Sequence, residues 1–148
     1  MLSIKKILTL SILVLAIGCK KYSADSHISL ASANARITKK WTLDQLYKNK
    51  LNVSDSIHSI ADSYTITFDK NNTFELAWDK TLTIGTYVLP LHYTRKGTWE
   101  FTNKKNILQM HYSDDNSMQQ LPILQLTKTN LWVSTTDKND TYEWHFKK

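Results

Sequence analysis

Tyr64-Thr65-Ile66-Thr67-Phe68-Asp69-Lys70-Asn71-Asn72-Thr73-Phe74-Glu75-Leu76-Ala77-Trp78 is the stretch that decides how this chain folds. Tyr64, Ile66 and Phe68 alternate with threonines; Phe74, Leu76 and Trp78 alternate with Glu75 and Ala77. Successive side chains of a strand point to opposite faces, so each run has one apolar face and one face suited to water. Between the runs, Asp69-Lys70-Asn71-Asn72 supplies asparagines, which tolerate the left-handed backbone of a tight turn. The stretch predicts two antiparallel strands joined by a hairpin.

The same design recurs downstream. Trp99 and Phe101 lead through Asn103-Lys104-Lys105-Asn106 to Leu108, Met110 and Tyr112. Leu124 and Leu126 pass through Lys128-Thr129-Asn130 to Leu131 and Val133, and Asp137-Lys138-Asn139-Asp140 leads to Tyr142, Trp144 and Phe146. Trp41, Leu43 and Tyr47 begin the series. Two segments break the rhythm. Lys48 to Ala61 is polar and reads as a long loop with a short helical turn after Ser54. Thr81 to Lys96 keeps Tyr87, Leu89, Leu91 and Tyr93 in phase, but Pro90 removes a ladder donor and argues for an edge, a bulge or an excursion at a rim. No window carries an apolar stripe of helical period. The fold class is therefore all-β: an antiparallel up-and-down meander of about eight strands that closes into a barrel and so removes its edges. A sandwich is the alternative, which the short turns disfavour.

The other end of the chain carries an address. Lys5 and Lys6 precede an apolar run from Ile7 to Ile17, followed by Gly18 and then Cys19, the single cysteine. The run is shorter than the ~20 residues that span a bilayer. The order resembles a bacterial lipoprotein signal, which implies removal of residues 1–18 and a lipid on the Cys19 thiol. Ordinary secretory cleavage after Gly18 is the alternative. Residues 19–35 are small and polar and read as a flexible tether; residues 36–148 form the domain. The expected place is the cell envelope, lipid-anchored. Lys20 follows the cysteine where an aspartate would favour inner-membrane retention, so the outer membrane is expected, with the leaflet open.

The formal net charge of +6 falls by two once Lys5 and Lys6 leave. An exported protein does not meet nucleic acid, and doublets such as Lys39-Lys40 and Lys104-Lys105 fall at turns, where charge solubilises. With one cysteine, no internal disulfide can form.

Trp41, the Phe68 to Phe74 hairpin, Gly97-Thr98-Trp99-Glu100-Phe101 and Thr141-Tyr142-Glu143-Trp144-His145-Phe146 together resemble the bacterial lipocalin-like lipoproteins over residues 36–148. The resemblance implies a calyx-type barrel behind a lipidated cysteine, and shape and address more than activity. Lys39 and Asn71-Asn72 stand where the family usually has glycine, before the first tryptophan and at the first hairpin.

Chemistry-bearing patterns are sparse. His27, His58, His92, His111 and His145 show no metal-ligand spacing, and His111 and His145 lie out of phase with their apolar neighbours, so both are expected to face solvent. Asp69-Lys70-Asn71 begins like a calcium loop, but Phe74 and Lys80 occupy its glycine and glutamate positions. Gly85 and Gly97 are the glycines beyond the signal, too few for a phosphate-cradling loop. No catalytic residue, metal or cofactor is expected.

The signal lies in the aromatics. Trp41, Tyr64, Phe68, Phe74, Trp78, Trp99, Phe101, Tyr112, Tyr142, Trp144 and Phe146 share the inward phase. One reading is a cup for a small lipophilic ligand, lined by Trp41, Trp78, Trp99, Tyr112, Tyr142 and Trp144. The other is a barrel that fills itself, since an eight-stranded barrel has room for side chains or one small ligand and nearly every inward residue is large. A filled barrel would act as a structural or interaction domain, presenting its outer face, with outward Trp132, to an envelope protein or glycan.

Overall fold

The computed structural model describes Tyr22 and residues 31–148. The quoted hairpin forms as β3 (Ser63–Phe68) and β4 (Thr73–Ile84), paired from Ser63↔Asp79 to Phe68↔Phe74. Asn72 takes the left-handed turn conformation, with φ 64°. The remaining strands are β1 (Lys40–Lys48), β2 (Leu51–Asn52), β5 (Tyr87–Thr102), β6 (Ile107–Tyr112), β7 (Met118–Leu126), β8 (Asn130–Asp137) and β9 (Asp140–Lys147). Each strand from β3 onward pairs antiparallel with the next, and β1 pairs with both β3 and β9, which closes an eight-stranded barrel. The short β2 is an extra strand hairpinned onto β1 through Asn49 and Lys50, both at positive φ. A shallow helix, α2 (Ser54–Ile60), stands where a helical turn was expected.

Closure is uneven. β1 meets β3 only from Lys40 to Thr42, then diverges, and α2 lies against the gap. Two register shifts tune the wall. In β1 Leu43 pairs with Phe146 and Gln45 with His145, so Asp44 is an extra residue. In β7 Leu124 is extra in the same way, between Ile123 and Gln125. A bulge reverses the facing of everything after it. Tyr47 and Leu124, expected inward, are thereby displaced from the inward series; Leu46 and Ile123 are buried instead, while Leu126 is buried as expected.

The barrel interior is a run of interlocked rings. Phe68 meets Trp99 edge-on at 5.6 Å, Phe74 meets Tyr112 edge-on at 5.2 Å, and Trp99 meets Phe101 at 5.5 Å. Such edge-to-face geometry suits the ring quadrupole. Gly97 makes this packing possible. A Cβ there would lie 1.9 Å from the carbonyl oxygen of His111 and 2.8 Å from the Phe74 ring.

One end of the barrel is sealed by the chain's own start. Helix α1 (Ala33–Ile37) is capped by Ser32, whose hydroxyl accepts from the Ala35 N–H, and Ile37 is fully buried. Arg36 donates to the Leu126 carbonyl, the Trp41 indole N–H donates to the Ile37 carbonyl at 2.9 Å, and the Tyr22 hydroxyl donates to the Lys105 carbonyl at 3.0 Å. Tyr22 and Ala33 belong to the stretch expected as tether, and the structure buries both. The signal segment, Cys19 and His27 lie outside the described residues.

At the opposite end, β4 and β5 run past their neighbours. They stay paired to Ile84↔Tyr87 around Gly85, φ 62°, while β3 pairs β4 only up to Asp79 and β6 pairs β5 only from Gly97. A glycine at the first turn position with positive φ suits a two-residue hairpin. Pro90 sits in this projecting arm, which fits the rim excursion among the edge, bulge and rim alternatives its presence raised.

Candidate functional site

The open end of the barrel holds a small cup of about 60 Å3. Its walls are Ile66, Leu76, Met110, Leu121, Val133 and Phe146, and its rim carries Tyr64, Tyr112, Gln119, Thr135 and Trp144. β3, β4, β6, β7, β8 and β9 place these residues by alternation, one inward side chain per two residues. The polar groups are paired at the rim: the Tyr112 hydroxyl donates to Gln119 Oε1 at 2.9 Å, and the Trp144 indole N–H donates to Thr135 Oγ1 at 3.2 Å. Tyr64 stacks beside Trp144 with centroids 5.9 Å apart. Burial pushes the Tyr64 phenol up to about 12, with the neighbouring Tyr112 adding to the shift. Burial raises the Tyr112 phenol as well.

Arg95 closes one side of this rim. Its guanidinium lies 3.9 Å from the centre of the Tyr112 ring and grips Asp114 through two bonds of 2.7 Å and Asp115 through one of 2.8 Å. These bonds hold the guanidinium above its ordinary range and both aspartates below theirs, Asp115 chiefly through Ser117. The loop between β6 and β7 is thus pinned over the cup's edge.

Of the six aromatics expected to line a ligand site, the structure brings two to the cup, Tyr112 and Trp144. Trp41 and Trp99 are buried in the sealed half, where the Trp99 indole N–H donates to the Asp69 carbonyl and Lys39 sits over Trp41. Trp78 packs on Tyr93 at the root of the arm, and Tyr142 lies under Lys48. Alternation put all six on one face; it carried no information about height along the barrel axis. The cup residues the aromatic reading missed, Gln119 and Thr135, are ordinary strand residues whose role depends on that height.

The outer wall corrects a second expectation. His145 does not face solvent; it is 9% exposed, between Tyr47 at 4.8 Å and Trp132 at 4.1 Å. Burial holds its imidazole below the usual value, with Glu143, 3.3 Å away, acting in the opposite sense. His111 is exposed.

A Ser63–Asp79–His92 cluster lies near the arm. Asp79 stands in the middle, accepting from Ser63 at 2.7 Å on one oxygen and meeting His92 on the other. The serine is bonded to the carboxylate and not to the imidazole, so the three groups are not in the serine–histidine–carboxylate order of an activated nucleophile. Among the described residues no group of three His, Cys, Asp or Glu side chains is placed to hold a metal ion.

The family comparison agrees with this architecture. Residues 37–133 match the lipocalin-like domain family. No curated protein matches the chain. Among solved structures it is similar to a redesigned β-barrel, at 13% identity and a TM-score of 0.43, over 81% of this chain and 97% of that one. With two thirds of its length matched, from the end of α1 through the middle of β8, this chain belongs to the lipocalin-like domain family.

Proposed function

We propose that this chain is an envelope lipoprotein, anchored through a lipidated Cys19, whose barrel takes the end of one small lipophilic molecule at its open mouth. The observation that carries the reading is the cup itself: an apolar wall topped by a ring of hydroxyl, amide and indole groups. That arrangement is the usual grammar of a small-molecule site, apolar contact for affinity and a few polar groups for orientation. Size narrows the ligand. About 150 Å3 accommodates a benzene-sized guest, and this cup offers about 60 Å3. It suits the terminal carbons of a chain, entering end-on, with the remainder at the mouth against Tyr64 and Trp144.

Trp144 makes the test direct. Titrating the Cys19→Ser chain with a fatty acid and with a retinoid, while following tryptophan emission, is expected to give a saturable change that Trp144→Phe abolishes. No change at micromolar ligand ends the binding proposal. The anchor is tested apart: Cys19→Ser is expected to move the protein out of the membrane fraction, and retention there ends that part.

The same small volume favours a second reading, a rigid interaction domain whose interior is structural. A flat titration together with a protein or glycan partner recovered by crosslinking on intact cells would select it.

A further inference from the structure

From Thr81 to Thr94 the arm contains no lysine, arginine, aspartate or glutamate. Its β4 and β5 strands have no neighbour on their outer sides there, so both faces of the ribbon meet solvent. The two faces differ. Leu82↔Leu89, Ile84↔Tyr87 and Trp78↔Tyr93 continue the phase of the barrel's inner wall, with Leu91 opposite Lys80. The other face mixes Thr81, Thr83, His92 and Thr94 with exposed Val88 and Pro90. On the apolar face Leu82, Ile84, Tyr87, Leu89, Leu91 and Tyr93 are each between 37% and 80% exposed. For side chains of about 150–250 Å2, that is on the order of 600 Å2 of apolar surface. A monomer's largest patch is ordinarily about 300–600 Å2 and is often functional, and this one lies at the top of that range.

The arm's edges are blunted while its face is not. Trp99 N–H bonds the Asn72 carbonyl, which fixes the ladder so that even-numbered β5 residues turn their backbone groups outward. Pro90 is one of these, so the β5 edge lacks a donor there. On the β4 edge, the Thr81 N–H is taken by the Asp62 carboxylate at 2.6 Å, and the Asp62 N–H takes the Asp79 carbonyl at 2.7 Å. Strand addition along either edge is therefore hindered, and contact through the face is left.

We propose that this face docks against the same face of a second copy of the chain. Three arguments choose that occupant. Two such faces would bury about 1,200 Å2 in all, the lower bound of a specific interface. A two-fold contact brings residues near its axis against their own copies, and at the outer part of the arm, beyond Lys80 and Arg95, no like charges would meet there. A two-stranded ribbon walls a small ligand on one side only, whereas binding sites enclose most of theirs. A bilayer fits less well: the ribbon's open backbone groups are costly in hydrocarbon. Tyr22, three residues after Cys19, is packed at the opposite end of the barrel, so the anchor proposed above would aim the arm away from the membrane.

The test uses the full chain in its own membranes, with Leu82→Cys or Leu89→Cys on the apolar face and Thr83→Cys on the other. The parent chain, with Cys19 as its only cysteine, is the control. Mild oxidation on intact cells is expected to give a disulfide-linked species of twice the chain mass from the first two variants alone. No doubled band, an equal band from Thr83→Cys, or a band of another mass overturns the proposal. Sedimentation of the Cys19→Ser chain supplies a reading independent of the anchor. Leu89→Lys and Leu89→Asp are each expected to weaken self-association about tenfold or more, and mixing the two to restore it. A monomeric parent, or cosedimentation with phosphatidylglycerol vesicles that Tyr87→Ser abolishes, overturns the second-copy assignment.

Discussion

The imidazole of His145 lies flat on the indole of Trp132, ring centroids 4.1 Å apart and planes 3° from parallel. Burial keeps that imidazole neutral below its usual value. An unfolded histidine titrates near about 6.5, so just below that pH the unfolded chain binds more protons than the folded one. Stability is expected to fall as pH is lowered through that window. Asp62, Asp79, Asp114 and Asp140 are all held below their ordinary 3.8, so their losses come at lower pH and the two windows separate. Thermal melts from pH 7.5 to 5 check this: His145→Phe, which keeps a ring on Trp132, is expected to flatten the slope.

Tyr64 gives the opposite sign at the alkaline end. Its phenol is pushed up to about 12 from 10.0. A raised value means the protonated phenol favours the fold, a contribution complete below pH 10 and lost as pH rises towards 12. Phenolate absorbance is expected to show late-titrating tyrosine, with Tyr112 also raised, and the component near 12 is expected to disappear in Tyr64→Phe. A titration complete near pH 10 would contradict its burial at the cup.

Gly97 is the position where a single methyl group does most harm. The obstacle is the His111 backbone carbonyl at 1.9 Å, which cannot swing aside as a flexible side-chain tip would. Overpacking costs about 1–3 kcal/mol and sometimes more, and Gly97→Ala is expected at about 3 kcal/mol in denaturant melts. An unchanged midpoint would mean that β5 and β6 slide apart freely there.

The meander was legible because its signal is local. Alternation and turn residues from Tyr64 to Phe146 define strands, and consecutive pairing follows from turns too short for anything else. What escaped depends on single insertions. Nothing in Leu43-Asp44-Gln45 announces a bulge, yet that one residue turns Tyr47 outward beside His145. With Leu124 bulged as well, Gln125 and Trp132 are brought opposite each other, and the supposedly solvated histidine becomes buried. The cup was half legible for a related reason. Phase assigns a face, while height along the axis is set by strand stagger, which separates buried Trp41 from mouth-lining Trp144 although both face inward. Pro90 argued for an edge, a bulge or a rim excursion, and its nitrogen takes an outward-facing ladder position on the arm.

Arg95 offers the last prediction, because it joins the arm, the rim loop and the cup. Its fork spans Asp114 and Asp115 while its plane covers Tyr112, and both carboxylates sit on the loop that bounds the mouth. A lysine keeps the charge but can neither grip two carboxylates nor lie flat on a ring. Arg95→Lys is therefore expected to behave like Arg95→Gln. In both, amide exchange is expected to quicken at Asp115 and Ser117, whose N–H groups are held by the Asp114 and Asp115 side chains. The core strands are expected to keep their protection, because the pairs are exposed and contribute little to global stability. If Arg95→Lys retained the slow exchange, charge alone would be holding the loop, and the bidentate geometry would be incidental. If both variants left it slow, the Asp115 to Ser117 turn would be self-supporting and the mouth of the cup would not depend on Arg95.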